Sequence, residues 1–344
     1  MPYDYSQRID VFDGIERQVP SELAEALRSM PLVDHHVHGH FTSAVTRAQF
    51  EACLNEGSPT SIPDFMSQFD SQVGFAVRRW CGPVLDLEPH AEPDAYWSRR
   101  ETLGVEELTR RMLRAAGVKD WVIDTGFSSA QIASVEQVAS ASGGAGFEIL
   151  RLEVLTEQII AASVAPDRFA GEFGARLSRA MPGIVGVKTI AAYRCGFDID
   201  WSRPGPPSRQ SHAPARAPAR ADDRGSPGHA AALLPVSPRG GLSCAGVRQC
   251  LLRRWPRGQL CGCTRAADRQ RGARDASFAK QMYSSDAFGI PELHLLGAVL
   301  WRRSMGQVLG RWVAQGDWAE EDAIRVAEMI GRLNAERVYA LPTR

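Results

Sequence analysis

An Asp-x-His-x-His motif near the N-terminus combines residue types that bind divalent metals. Side chains two residues apart on a strand point to the same face, so Asp34, His36 and His38 are expected to project together. Two neutral imidazoles at this spacing can hold one metal ion, and a nearby carboxylate can orient them. The motif therefore predicts half of a metal site at the end of a strand.

Two further histidines flank this pattern. His35 is expected to point to the opposite face and to serve in packing, and His40 lies past the strand end, where we expect a loop facing solvent. The alternative is a turn whose histidines form only hydrogen bonds. The apolar residues Leu32 and Val33 directly before the motif favour a strand end and hence a metal site.

Asp286 follows a second predicted strand, Met282 to Asp286. A lone carboxylate after a strand is commonly a helix cap or a turn former, and that interpretation stays open. Beside the two histidines, the same carboxylate can ligate the metal and take a proton from water or relay it to a leaving group.

Other polar residues are predicted at strand ends. Lys188 could bind a substrate carboxylate or, if carbamylated, bridge two metals, and the alternative is a surface or salt-bridged lysine. Glu153, Tyr193 and Arg194 could bind polar groups of a substrate. Asp124 could simply shape a turn.

The elements that must position these residues alternate between strand and helix. We predict helices at about 21–30, 105–116, 129–141, 165–180 and 291–314, with a last one from Asp317 to near Asn334, and strands at 121–124, 147–153 and 184–188. This order implies a parallel sheet, since each crossover needs a helix. Residues 43 to about 100 are interpreted as an insertion that could cover the mouth of a barrel.

Composition narrows the class of protein. The 344 residues are 44% hydrophobic and carry a formal net charge of zero, which gives no reason to expect nucleic acid or an acidic membrane as partner. The polar N-terminus predicts no signal peptide, and no apolar run approaches the roughly 20 residues that span a bilayer. A cytoplasmic protein that acts on a small molecule is the expectation.

Residues 204–275 depart from this pattern. They hold thirteen arginines and nine prolines but no Lys, Glu, Ile, Phe, Tyr, Met or Asn. Such a segment could be a disordered insert, a basic arm that binds nucleic acid, or a translation of the wrong reading frame. We favour the frameshift, because codons read one base later can encode strand, turn and helix patterns over residues 229–263.

The motifs resemble the metal-dependent amidohydrolase superfamily, in the amidohydrolase-related branch with Asp-x-His-x-His on its first strand. The resemblance covers about 20–200 and 276–341, and residues 186–194 and 283–289 are close to the fourth and eighth strands of that branch. It implies that His36 and His38 are metal ligands and that Asp286 is the acidic ligand and proton carrier.

The resemblance implies a (β/α)8 TIM-like barrel and a zinc-dependent hydrolase of amide or ester bonds acting on a small, possibly anionic molecule. A metal-dependent decarboxylase and an inactive barrel are the alternatives. The family's histidines from strands five and six have no match, so the barrel is expected to be incomplete and the chain inactive or misfolded. The predicted parts are 1–203 and 276–344, separated by the aberrant segment 204–275.

Overall fold

The computed structural model describes residues 9–55, 63, 65–127, 131–190, 232–235 and 278–342. The chain divides into two compact units, Met1–Ile149 with Pro256–Arg344, and Leu150–Trp255. Apart from 232–235, the segment 204–275 lies outside the described residues, so the frameshift and the predicted division at its borders stay predictions.

Neighbouring parallel strands form the centre of the first unit. Strand β1 (Leu32–Val37) pairs with β2 (Val118–Asp124), which pairs with the first five residues of β3 (Ala145–Arg151). All six residues of β1 are buried, as expected for a strand covered on both faces. The predicted mixed α/β fold with parallel strands is confirmed, whereas a complete eight-stranded barrel stays a prediction.

Ten α-helices are present among the described residues. Their bounds are α1 Ser21–Ser29, α2 Arg47–Leu54, α3 Gln72–Ala76, α4 Pro93–Ala115, α5 Val135–Ser142, α6 Leu152–Ala161, α7 Phe169–Ala180, α8 Pro291–Ala314, α9 Glu320–Glu328 and α10 Asn334–Tyr339. The helices α6 and α7 belong to the second unit. No helix within the described ranges is long and apolar enough to cross a bilayer.

The predicted insertion is largely helical where the structure describes it. An aromatic cluster of Phe50, Phe69, Tyr96 and Trp97 is buried and joins α2 to α4. Helix α4 starts twelve residues before the predicted helix, and Gly104, at φ +72°, interrupts it. The prediction found only the part after this kink, because the apolar periodicity of residues 43 to about 100 is weak.

The second unit has a small core of its own. Helices α6 and α7 pack with β4 (Ile184–Thr189), and β5 (Ala232–Pro235) pairs with β4 in antiparallel direction. Strand β3 ends at Arg151, two residues earlier than predicted, because helix α6 begins at Leu152. Glu153 therefore lies in the first turn of a helix rather than at the end of a strand.

Candidate metal centre

The segment 282–289 runs alongside β1 in parallel direction. Backbone hydrogen bonds join His35 N to Tyr283 O at 3.1 Å, Asp286 N to His36 O at 3.1 Å and His38 N to Ala287 O at 2.9 Å. The prediction of a regular strand over Met282–Asp286 is wrong, since the segment hydrogen-bonds to β1 only irregularly and Asp286 has a left-handed backbone at φ +51°. The cause is Ser285, whose N–H donates to the Asp34 carboxylate instead of to a backbone carbonyl.

Three side chains meet where β1 and the segment 282–289 lie side by side. His36, His38 and Asp286 each offer one ligand atom, and these atoms lie within 4.8 Å of one another. The Asp286 Oδ1 atom is 3.0 Å from His36 Nε2 and 3.5 Å from His38 Nε2. Ligands held about 2.1 Å from a tetrahedral metal ion lie about 3.4 Å apart, so the two distances from Asp286 are compatible with a shared metal ion.

Exposure differs within this cluster. The side chains of His36 and His38 are 0% and 7% exposed, while that of Asp286 is 28% exposed. The carboxylate is therefore the member that solvent reaches most easily. Buried imidazoles and an accessible carboxylate are suited to hold a metal while leaving a position open to water.

The orientation of His38 is fixed by strand β2. Its Nδ1 atom lies 3.1 Å from the backbone carbonyl of Asp124, which can only accept a hydrogen bond. Nδ1 then carries the proton, and Nε2 presents its lone pair to the cluster, as a metal ligand must. The Asp124 side chain accepts from Gly126 N at 2.8 Å, so it shapes the turn as one of the predictions stated.

Asp34 faces the segment 282–289 and lies outside the ligand cluster. Its carboxylate is fully buried and accepts hydrogen bonds from Ser285 N at 3.1 Å and from His36 N at 3.3 Å. Burial raises the pKa of Asp34 to about 7, and the hydrogen bonds from Ser285 and His36 act in the opposite direction.

The flanking histidines have structural surroundings. His35 is buried and its Nδ1 atom lies 3.4 Å from the Tyr339 hydroxyl, in agreement with the predicted packing role. The prediction for His40 is wrong, because this residue is 7% exposed and pairs with Gly289. It is covered since the segment 282–289 continues alongside the chain beyond the end of β1.

His294 is a residue that the sequence did not indicate. It lies fully buried in α8, with Nε2 3.1 Å from His38 O and Nδ1 3.3 Å from Ile290 O. Burial lowers the pKa of His294 to about 4, with His40 adding to the effect, while the two backbone carbonyls act in the opposite direction. A lone histidine in an apolar helix has no spacing that would have marked it.

Two of the predicted substrate-binding residues, Lys188 and Glu153, belong to the second unit. Lys188 is buried on β4 of the second unit, and Glu153 accepts hydrogen bonds from Thr189 Oγ1 at 2.6 Å and Ile190 N at 2.8 Å. Tyr193 and Arg194 lie outside the described residues. The roles of these four residues stay predictions.

Comparison with known proteins gives a likeness of fold. No protein-family model and no curated protein matches the chain. The chain is similar to the crystal structure of a protein from Lactobacillus casei ATCC 334 named a "putative metal-dependent hydrolase". The TM-score is 0.61 at 14% sequence identity, over 92% of this chain and 97% of that chain, which shows a shared fold.

Proposed function

We propose that the chain is a metal-dependent hydrolase of amide or ester bonds, with one zinc ion held by His36, His38 and Asp286. The observation that carries the proposal is the cluster of two imidazole nitrogens and one carboxylate oxygen within 4.8 Å. Three protein ligands with a further position for water are typical of catalytic zinc. The likeness to a protein named as a metal-dependent hydrolase supports it.

Each residue has a distinct task in this proposal. A divalent metal, when bound, lowers the pKa of water and polarises a carbonyl group. Asp286, as the accessible member of the cluster, takes the proton from the attacking water and delivers it to the leaving group. His36 and His38 hold their positions because both are buried and His38 is oriented by Asp124 O.

The finer parts of the proposal depend on the resemblance to amidohydrolases. They are a (β/α)8 barrel, zinc as the metal, a small anionic substrate bound by Lys188 and Arg194, and a cytoplasmic location. Arg194 lies outside the described residues, and Lys188 belongs to the second unit.

Zinc binding by the full chain tests the site. The protein is freed of metal with a chelator and titrated with Zn²⁺ against a chromophoric competitor. We expect one equivalent to bind, and His36→Gln to lose more than about 100-fold in affinity, beyond the loss typical of outer residues. His35→Gln is the matched control, because His35 is a buried neighbour on the same strand that points away from the cluster.

The activity is tested on the same preparation with nitroanilides and nitrophenyl esters of neutral and anionic acids. We expect zinc-dependent release of the chromophore from some of them and none after His36→Gln. This result would overturn the expectation from the sequence that the unmatched histidines leave the chain inactive. Absence of stoichiometric zinc, or equal losses in the two histidine variants, contradicts the site. Zinc-dependent release of carbon dioxide from carboxylic acids, without hydrolysis, would replace the hydrolase by a decarboxylase.

A further inference from the structure

The backbone of Asp286 adopts a conformation that side-chain-bearing residues rarely take. Its φ angle is +51°, in the left-handed region. This conformation is unfavourable for residues other than glycine, although Asp tolerates it better than most, and it persists only where the surroundings enforce it. The residues on either side of Asp286 must therefore hold it in place.

Ser285 provides one part of this restraint. Its hydroxyl oxygen accepts a hydrogen bond from Ala287 N at 3.1 Å, so the bond closes a turn with Asp286 at its centre. The Asp286 N–H donates to His36 O at 3.1 Å, and the Ser284 hydroxyl donates to the same carbonyl at 2.8 Å. The turn is thereby fixed against the strand that carries the two histidines.

Asp34 holds this turn in place through hydrogen bonds from Ser285. Both of its carboxylate oxygens lie within 3.2 Å of Ser285 N, which donates to them. Asp34 is fully buried and is not among the residues whose ligand atoms converge on a metal position. Its shorter hydrogen bonds come from Ser285 N, which precedes Asp286 in the chain, and a longer one of 3.3 Å comes from His36 N.

We infer that Asp34 is a positioning residue that acts through Ser285 to hold Asp286 in its left-handed conformation, with the carboxylate of Asp286 facing His36 and His38. The inference rests on the proposed metal site and assigns to the first residue of the motif a task other than ligation. Because Asp34 acts through Asp286, its removal should matter only while Asp286 is present.

A double-mutant cycle tests this dependence. Co²⁺ is titrated into the metal-free full chain, and its affinity and visible absorption are measured for the wild type, Asp34→Ala, Asp286→Ala and the double variant. We expect Asp34→Ala to weaken Co²⁺ binding by about 10- to 100-fold, the range for residues that orient ligands. In the Asp286→Ala background the same change should cost less than about 2-fold, because coupled residues are not additive.

Two further variants separate positioning from loss of folding. Asp34→Asn keeps an acceptor for Ser285 N–H without the charge, and it is measured in the same way if Asp34→Ala does not fold. Asp120→Asn removes a buried carboxylate from β2, near the opposite end of the strand from the cluster. It should leave the affinity for Co²⁺ and the absorption spectrum unchanged.

The outcomes are distinct. A coupling between Asp34 and Asp286, with an absorption spectrum altered in Asp34→Ala, supports the inference. Unchanged affinity in Asp34→Ala, or an equal loss with and without Asp286, overturns it while leaving the metal site intact. A wild-type chain that binds no Co²⁺ overturns the proposed function instead.

Discussion

The two ends of strand β1 use buried polar groups in opposite ways. At the end where the strand begins, the buried Arg302 donates hydrogen bonds to backbone carbonyls of Leu27, Met30, Ala116 and Gly117, at distances from 2.8 to 3.1 Å. These carbonyls belong to the C-terminal ends of α1 and α4 or directly follow them. At the other end, the side chains of His36, His38 and Asp286 face one another.

Arg302 therefore has a structural role at one end of β1, and the cluster has a chemical role at the other end. Helix C-terminal carbonyls lack partners within the helix and carry partial negative charge, so one guanidinium can satisfy two helix ends. Burial lowers the pKa of Arg302 to about 10, a cost that these carbonyls offset. At the other end, the Asp286 carboxylate approaches the two imidazole nitrogens to 3.0 and 3.5 Å, an arrangement that a metal ion can bridge.

The largest effect is expected at the structural end. Arg302→Met leaves buried carbonyls without a donor, so the free energy of unfolding should fall by about 3 kcal/mol or more. Chemical denaturation measures this loss. Arg303→Met is the control, because Arg303 donates to Val11 O and Asp13 O from a more exposed position and should cost less. A metal affinity reduced as strongly as by loss of Asp286 would erase the distinction between the two ends.

In the cluster, a substitution should reduce metal affinity rather than stability. Asp286→Ala should lower zinc affinity by more than about 100-fold, while the melting temperature of the metal-free protein changes little. Zinc at 100 times its dissociation constant should stabilise the wild type by about 2.7 kcal/mol, and this gain should vanish in the variant. Thermal melts with and without zinc measure both quantities. A metal-free variant as unstable as Arg302→Met would show that Asp286 is structural.

Part of the metal cluster could be predicted from the sequence. Strand periodicity predicted that Asp34, His36 and His38 project together. The two histidines do converge, whereas Asp34 accepts hydrogen bonds from Ser285 N and lies outside the cluster. Asp286 was distinguished from a turn former by the presence of the histidine motif and then by the resemblance to amidohydrolases, and the structure places it within reach of both histidines.

Other features could not be predicted because they depend on contacts between distant segments. Arg302 and His294 are single polar residues in an apolar helix, and their partners come from other parts of the chain. The irregular pairing of the segment 282–289 depends on one hydrogen bond from Ser285 to Asp34. No local pattern encodes that choice of acceptor.

Two glycines of helix α8 pack closely against other segments, one of them beside the metal cluster. Replacing each by alanine should have a smaller effect on stability than the changes above. A Cβ atom at Gly297 would lie 2.5 Å from Ser285 Cβ, so Gly297→Ala should displace the turn that holds Asp286. We expect a loss of about 1–3 kcal/mol from overpacking and a weaker affinity for zinc. Titration of the folded variant with Zn²⁺ measures the second effect.

Gly310→Ala provides the matched control for this prediction. A Cβ atom at Gly310 would lie 2.5 Å from Gln18 O, so the steric conflict is similar but remote from the cluster. It should lower stability without changing zinc affinity. If the two glycine variants change zinc affinity equally, the close packing of α8 on Ser285 has no specific role in the site.

The smallest expected effect concerns the left-handed backbone at Asp286. Asp286→Gly and Asp286→Ala both remove the ligand, but glycine accepts φ +51° without the steric cost that alanine pays. The metal-free glycine variant should therefore be more stable than the alanine variant by about 1 kcal/mol. Denaturant unfolding without metal measures this difference. If alanine is as stable as glycine, the turn relaxes once the carboxylate is lost, and Asp286 itself stabilises the strained conformation.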